Sequence, residues 1–412
     1  MTRIVVTGLS AITPIGNTIN EFWQNLTNGV SGIGPITQFD ASQYQVRIAG
    51  EVKGFDPSTF IDSKAVRRMA RFTQFSVAGA TMAVADAGIS ITESNAHSVG
   101  IAMNTGGGGI GTVAEEAYVL EHKGPRRVSP FFLPIMIPNM AACQVSITFG
   151  IKGPVHSATA ACSSGIYAVI EGANLIKRDE IDVVIAGGVE SAIIPLAFAS
   201  LSNMGALSRR NDEPEKACRP FDLNRDGFVF AEGCGTLILE RLEHAIARGA
   251  RIYAEVAGGA INSDAFHVTA PEPTGSQAAS AMSMALRNSG LSPFDIDYIC
   301  AHGTGTPLND VSETAAIKKT FGDQAYKVAI SSPKSMVGHA LGGAGAISSV
   351  ATVLAIYHGV MPPTINLDTP DPECDLDYVP NVARQQKVHA AIANGFGFGG
   401  QNAVVAFKEY VE

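Results

Sequence analysis

Short β-branched runs alternate with Ala-rich helical stretches along this chain, and few folds accept that rhythm. The runs are Ile4–Thr7, Val99–Met103, Val183–Ala186, Thr236–Leu239, Tyr298–Ala301 and Val328–Ser331. Buried parallel strands covered by helices have this appearance, so the predicted class is α/β. The rhythm also repeats. The Ala-rich stretch Ala78–Gly88 precedes the run at Val99, and Ala279–Gly290 precedes the run at Tyr298. A Gly-rich turn follows each run, at Thr105–Gly109 and at Gly303–Gly305. Later in each half a small-residue segment opens a helix, Ala160–Gly165 and then Gly338–Ala346. Any α/β chain produces some echoes of this kind. Read as a duplication, they put a boundary just after Arg248-Gly249-Ala250, giving halves 1–250 and 251–412. No low-complexity linker separates the halves, so one continuous core is expected.

Composition narrows the function. Hydrophobic residues make up 46% of the 412 and charged residues 16%, which implies a large buried interior and excludes disorder. The 43 glycines point to tight turns and close backbone approaches. A net charge of −9 argues against a nucleic-acid partner. No signal peptide is apparent at the N-terminus, and no run of 18 uncharged apolar residues suggests a membrane span. The most apolar region, Ile181 to Leu207, carries Asp182 and Glu190 and is broken by Gly187-Gly188 and Pro195; it reads as a buried strand, loops and a helix. Six cysteines without a C-x-x-C pair read as reduced thiols of a cytoplasmic protein, and no Cys/His spacing suggests a metal.

Four segments hold residues that could do chemistry. Cys162, in Ala160-Ala161-Cys162-Ser163-Ser164-Gly165, stands where a β-rich approach gives way to an amphipathic helix. A helix N-terminus favours a thiolate, and small neighbours let a substrate approach; a buried inert thiol is the alternative. His302, in Ala301-His302-Gly303-Thr304-Gly305-Thr306-Pro307, follows an apolar strand and enters a turn, as catalytic groups often do. Lys334 and His339 sit in the Gly-rich segment Ser331–Ala346, between a strand and a helix, where packing alone is a poor reason for either. The loop Asn394-Gly395-Phe396-Gly397-Phe398-Gly399-Gly400 could offer a backbone N–H to an oxyanion and gate a tunnel, or be a bulged strand.

These segments, in this order and spacing, resemble the β-ketoacyl-[acyl carrier protein] synthases of the synthase II type, condensing enzymes of the thiolase superfamily. The likeness runs from Val5-Val6-Thr7-Gly8 to Val404-Val405-Ala406-Phe407, through Gly124-Pro125-Arg126-Arg127, Arg219-Pro220-Phe221-Asp222, Arg225-Asp226-Gly227-Phe228 and Pro362-Pro363-Thr364-Ile365-Asn366. The resemblance implies a thiolase-like fold, a duplicated α/β unit layered α-β-α-β-α, and a homodimer. It implies decarboxylative condensation of acyl-ACP with malonyl-ACP in fatty acid elongation. Cys162 would be the nucleophile, and the backbone N–H groups of Cys162 and Phe398 the oxyanion hole. His302 and His339 would face the malonyl thioester. Lys334, paired with Glu313, would tune the site, and Thr304 and Thr306 would contact the phosphopantetheine arm. The carrier protein brings that arm, so no cofactor or metal is needed. Because such carriers are acidic, the basic residues Lys64, Arg67, Arg68, Arg71, Arg126, Arg127, Arg209 and Arg210 are candidates for docking, the first four on about two helical turns. Gly107 stands where many relatives carry a bulky acyl-pocket residue, implying a roomier pocket, and Gln401 stands where Thr is common. A type II polyketide ketosynthase would share this chemistry. A chain-length-factor-like subunit would lack the nucleophile. A Cys/His hydrolase would not need the second His, the Lys and the Gly-Phe loop, and the thiolase branch would carry a second Cys near the C-terminus.

Overall fold

The β-branched runs do become strands, most of them longer than the runs that announce them. The computed structural model describes residues 2–411; Met1 and Glu412 lie outside the described residues. Ten strands form one sheet: β1 (Ile4–Ile12), β2 (Val99–Thr105), β3 (Val155–His156), β4 (Val183–Glu190), β5 (Gly233–Arg241), β6 (Ala254–Ser263), β7 (Tyr298–Cys300), β8 (Ala329–Ser331), β9 (Ala390–Gly397) and β10 (Gln401–Lys408). Their order is β8-β7-β9-β10-β6-β1-β5-β4-β2-β3. All nine residues of β1 and all eight of β4 are buried, as their continuous apolar sequence requires.

The sheet is mixed rather than parallel throughout. From the centre outward, β1, β5 and β4 pair antiparallel, whereas β4-β2 and β2-β3 are parallel. The second half repeats this ladder: β6, β10 and β9 antiparallel, β9-β7 and β7-β8 parallel. Burial on both faces suggests parallel strands, but helices covering both faces bury antiparallel strands equally well. Among the described residues, the strand pairing between the two ladders is Val5–Glu255 and Val6–Ala254. Identical pairing in both halves supports the division at residue 250, which we propose as the structural repeat.

Helices complete five layers. Helices α1 (Arg71–Ala87) and α2 (Met140–Phe149) cover the outer face of the first ladder. Helix α4 (Ser276–Ser289) covers that of the second, with α5 (Pro307–Phe321) packed on it. Helices α3 (Ser164–Lys177) and α6 (Leu341–His358) lie in the middle and touch strands of both ladders. The Ala-rich α1 and α4 are equivalents, each ending on a left-handed glycine, Gly88 and Gly290. Among the described residues α6 is the one helix long and apolar enough to cross a membrane; 83% of it is buried inside the protein. A helix that is apolar all round needs partners on every side, and the five-layer core supplies them. Its approach to α3 is very close: a Cβ on Gly165 would stand 2.2 Å from the backbone nitrogen of Ala346.

Candidate active site

The segment before α3 is a single 3-10 turn, Ala161–Ser163, with Cys162 at its centre and only 4% exposed. Ala161 has φ +46°, a left-handed conformation that a residue with a side chain adopts only when held. The two serines hold it. Ser163 Oγ donates to the Ala160 carbonyl at 2.6 Å, and Ser164 Oγ donates to the Ala161 carbonyl at 2.7 Å while accepting from Ala160 N. Asn104, at the end of β2, donates to the Ser164 carbonyl and accepts from Ala158 N. Sequence reasoning names the cysteine but misses these three supports; small polar residues flanking a nucleophile are the available signal.

The hairpin tip between β9 and β10 lies against this turn. A Cβ on Gly397 would be 2.8 Å from the Ala160 carbonyl and 3.2 Å from Cys162 N, so only glycine allows the approach. It brings the Phe398 backbone N–H to the sulfur of Cys162. Burial nevertheless dominates the thiol and pushes it up to about 11, against the pull of the Phe398 and Cys162 N–H groups and of the Lys334 charge. The stabilised thiolate that a helix terminus suggests is outweighed by desolvation.

Two imidazoles complete the cavity. His302 follows β7 into a turn whose Gly303 has φ +38°. The buried carboxylate of Glu313, on α5, accepts from His302 N and Gly303 N, each at 2.8 Å, and from Asn394 Nδ2 at 3.0 Å. His339, just before α6, donates its backbone N–H to the Val229 carbonyl at 2.7 Å, and its own carbonyl accepts from Ala231 N. The two rings meet edge to face, centroids 5.4 Å apart. Burial, and then the Lys334 charge, hold both well below the ordinary imidazole value, so both are neutral at pH 7. Lys334 is itself buried and its ammonium lowered by desolvation. It makes no ion pair with Glu313, whose oxygens are taken by N–H donors; the Glu313 charge acts on it only through space. The expected Lys334–Glu313 pair is therefore corrected: Glu313 anchors the His302 turn.

Cys162, His302, His339, Phe398, Thr304 and Thr306 line one cavity of about 370 Å³. Its outer rim holds exposed Met204 and Leu308, so it descends from the surface to the buried sulfur. The Thr304 and Thr306 hydroxyls bond each other at 2.9 Å. Gly107 is outside this lining. It is exposed, and a Cβ there would meet only Glu190 Oε1 at 3.4 Å and Ile110 Cγ2 at 3.8 Å. Glu190 reads in the sequence as no more than a charge in an apolar run. It is fully buried at the end of β4, accepts from Gly106, Gly107 and Gly342 N–H groups and the Thr105 hydroxyl, and is raised to about 7 by burial.

The basic candidates divide. Lys64 lies on a four-residue helix, Ser63–Val66, that Arg67 caps, and Arg71 opens α1, so the four are not on two turns of one helix. Lys64, Arg67, Arg126, Arg127 and Arg209 are exposed, as is Arg68, which lies over the Phe131 ring. Arg71 instead pairs with buried Glu232 at 2.9 Å and packs on Phe75, which makes it a structural residue. Arg210 is half-buried, donating to the Asn224 carbonyl. No group of His, Cys, Asp and Glu suited to a metal is present among the described residues.

Comparison with known proteins finds relatives along nearly the whole chain. Residues 1–245 match the family described as Beta-ketoacyl synthase, N-terminal domain, and residues 253–368 match Beta-ketoacyl synthase, C-terminal domain. A 3-oxoacyl-[acyl-carrier-protein] synthase 2 of Synechocystis sp. is 52% identical over 99% of this chain and 98% of its own length. The protein of the same name from Coxiella burnetii is 47% identical over 98% of each. Among solved structures, a type II PKS acyl-carrier protein complex with its ketosynthase bound to the hexaketide matches with a TM-score of 0.91 and 36% identity, over 99% of this chain and 100% of that one.

Proposed function

The chain belongs to the beta-ketoacyl synthase family, and from that premise we propose that it elongates acyl chains by decarboxylative condensation of acyl-ACP with malonyl-ACP. The observation that carries the proposal is the convergence of Cys162, two neutral imidazoles and the Phe398 N–H on one cavity. In the first half-reaction the Cys162 sulfur attacks the thioester carbonyl of acyl-ACP. The oxyanion forms against the N–H groups of Cys162 and Phe398, and the tetrahedral centre collapses to acyl-Cys162 and the free carrier thiol. Malonyl-ACP then takes the carrier's place. Its carboxylate leaves as CO₂ and the electron pair passes into the thioester enolate. His302 and His339, being neutral, present N–H donors to the enolate oxygen, each typically worth ~3 kcal/mol of barrier. The enolate carbon attacks acyl-Cys162 and the sulfur leaves as a thiolate that takes up one proton from solvent, giving a β-ketoacyl-ACP two carbons longer and the free Cys162 thiol.

Lys334 lowers the thiol and both imidazoles electrostatically, which supports a tuning role. Thr304 and Thr306, on the wall between rim and sulfur, suit the amides of the phosphopantetheine arm, which the carrier supplies. Exposed Lys64, Arg67, Arg68, Arg126, Arg127 and Arg209 suit its acidic surface. Six free thiols support a reducing, cytoplasmic setting. We place a second copy of this chain on the first half, whose edge strand β3 is short and whose Tyr118, Leu133 and Ile147 are exposed. The test is incubation with malonyl-ACP and acyl-ACPs of increasing length, with Cys162→Ala in parallel. Acyl mass on the unsubstituted chain alone, CO₂ release and a product two carbons longer are expected. Reaction with polyketide starters only would transfer the same chemistry to a polyketide pathway.

A further inference from the structure

Behind the cavity wall lies a buried ion network that the reaction does not use. Arg225 comes from the loop after Phe221, and its side chain is 4% exposed. Its Nη1 meets Asp371 at 2.5 Å and the Asp222 carbonyl at 2.9 Å. Its Nε faces Asp310 at 3.5 Å. The same guanidinium donates Nε to the Thr306 carbonyl at 3.4 Å and Nη2 to the Pro307 carbonyl at 3.3 Å. Asp310, fully buried, grips the other side of the turn: Oδ1 accepts from Gly305 N at 3.3 Å and Oδ2 from Phe221 N at 2.9 Å. Gly227 N donates to the Gly305 carbonyl at 3.2 Å. The backbone of residues 305–307 is thus held from behind by Arg225 and Gly227 of the first half and by Asp310 of the second, while Thr304 and Thr306 face the cavity.

We infer that Arg225 is a positioning residue for the phosphopantetheine arm. Its planar fork spans the Thr306 and Pro307 carbonyls and so holds Thr306 in place, and with it the hydroxyl that bonds Thr304 at 2.9 Å, the pair that the arm's amides would have to match. A lysine keeps the charge between Asp310 and Asp371 but places its donors on one nitrogen, so it does not reproduce the two-nitrogen fork that meets the Thr306 and Pro307 carbonyls. The inference rests on the carrier-arm reading above and adds to it a residue outside the cavity.

Arg225→Lys separates fork geometry from charge. Initial rates would be measured with acyl-ACP and with the acyl thioester of N-acetylcysteamine, which lacks the outer amide and the phosphate. Iodoacetamide alkylation of Cys162 would report the integrity of the buried site. The expected result is a KM for acyl-ACP raised about tenfold, a kcat changed less than threefold, and smaller losses on the truncated thioester. Equal losses on both substrates, or an unchanged KM for acyl-ACP, would overturn the inference. Should Arg225→Lys fail to fold, Asp371→Asn, at the outer end of the network, is read by the same ratio. Loss of transfer from every carrier substrate by the unsubstituted enzyme would instead refute the carrier reading itself.

Discussion

The thiol of Cys162 is held up to about 11 by burial, and its reactivity should show it. A thiol at the ordinary 9.0 would carry ~100 times more thiolate at neutral pH, since each pH unit is a factor of ten. A thiolate of higher pKa is also the better nucleophile, with a Brønsted slope of roughly 0.4–0.5, which returns ~8-fold. The net expectation is alkylation about tenfold slower than that of an ordinary thiol at pH 7.5. The profile is more telling than the rate. With both imidazoles held neutral by burial, no Cys⁻/His⁺ pair forms at rest, so the rate should climb about tenfold per pH unit without levelling off before pH ~10. The assay is iodoacetamide labelling from about pH 6 to 10, followed by intact mass, with Cys162→Ser as background. A plateau between about pH 6 and 8 would mean a preformed ion pair and would refute the argument from burial.

Three further outcomes follow from named contacts. His302→Ala and His339→Ala should each cut condensation by ~10²–10³-fold while acyl-Cys162 still accumulates on the protein, because each removes an enolate donor and not the nucleophile; equal loss of acylation would put the imidazoles in the first half-reaction. Arg71→Met leaves the fully buried Glu232 without its cation and should destabilise by about 3 kcal/mol in urea titration, whereas Lys64→Glu with Arg67→Glu should leave the midpoint unchanged and raise the KM for acyl-ACP in a salt-dependent way. Glu190 holds its proton more tightly folded, at about 7, than its ordinary 4.5, so the folded state binds the extra proton in between and loses stability as pH rises through that window, by ~3 kcal/mol in full. Glu190→Gln should flatten that slope between pH 4.5 and about 7, and parallel stability curves for the two proteins would show that Glu190 does not titrate there.

What is legible in the sequence, and what is not, divides along physical lines. Continuous apolar runs and Ala-rich stretches report burial, so the six strands named from them and the helices α1, α3, α4 and α6 are readable. Strand direction is not, because a strand covered on both faces carries the same residues whichever way its neighbour runs. Motif residues tied to a turn are readable as well: Cys162, His302, His339 and the Gly-Phe hairpin stand beside glycines and small residues that have few other uses. Charged residues are the least legible class. Lys64 and Arg71 look alike in a basic cluster, yet one is solvated and the other neutralises a buried carboxylate 161 positions away. Glu313 looks like a partner for Lys334, yet its place on α5, beside the turn after β7, gives its oxygens to backbone donors instead.

Glu190 is the clearest instance. An acidic residue ending an apolar strand reads as the point where the strand meets water. Here that point is covered by N–H groups of the loop after Thr105 and of the first turn of α6, because Gly106, Gly107 and Gly342 have no side chains to keep the backbone away. The glycines that suggest open space for substrate at position 107 are occupied in coordinating a carboxylate. A Cβ on Gly106 would stand 2.7 Å from Glu190 Oε2, and one on Gly342 would stand 2.2 Å from Gly106 N, so neither position tolerates a side chain, whereas position 107 does. Gly107→Ile should therefore fold, and its effect on the chain-length profile reports whether a bulky residue there reaches the acyl chain. A profile unchanged from short to long acyl-ACPs would assign the glycine run to the Glu190 clamp alone.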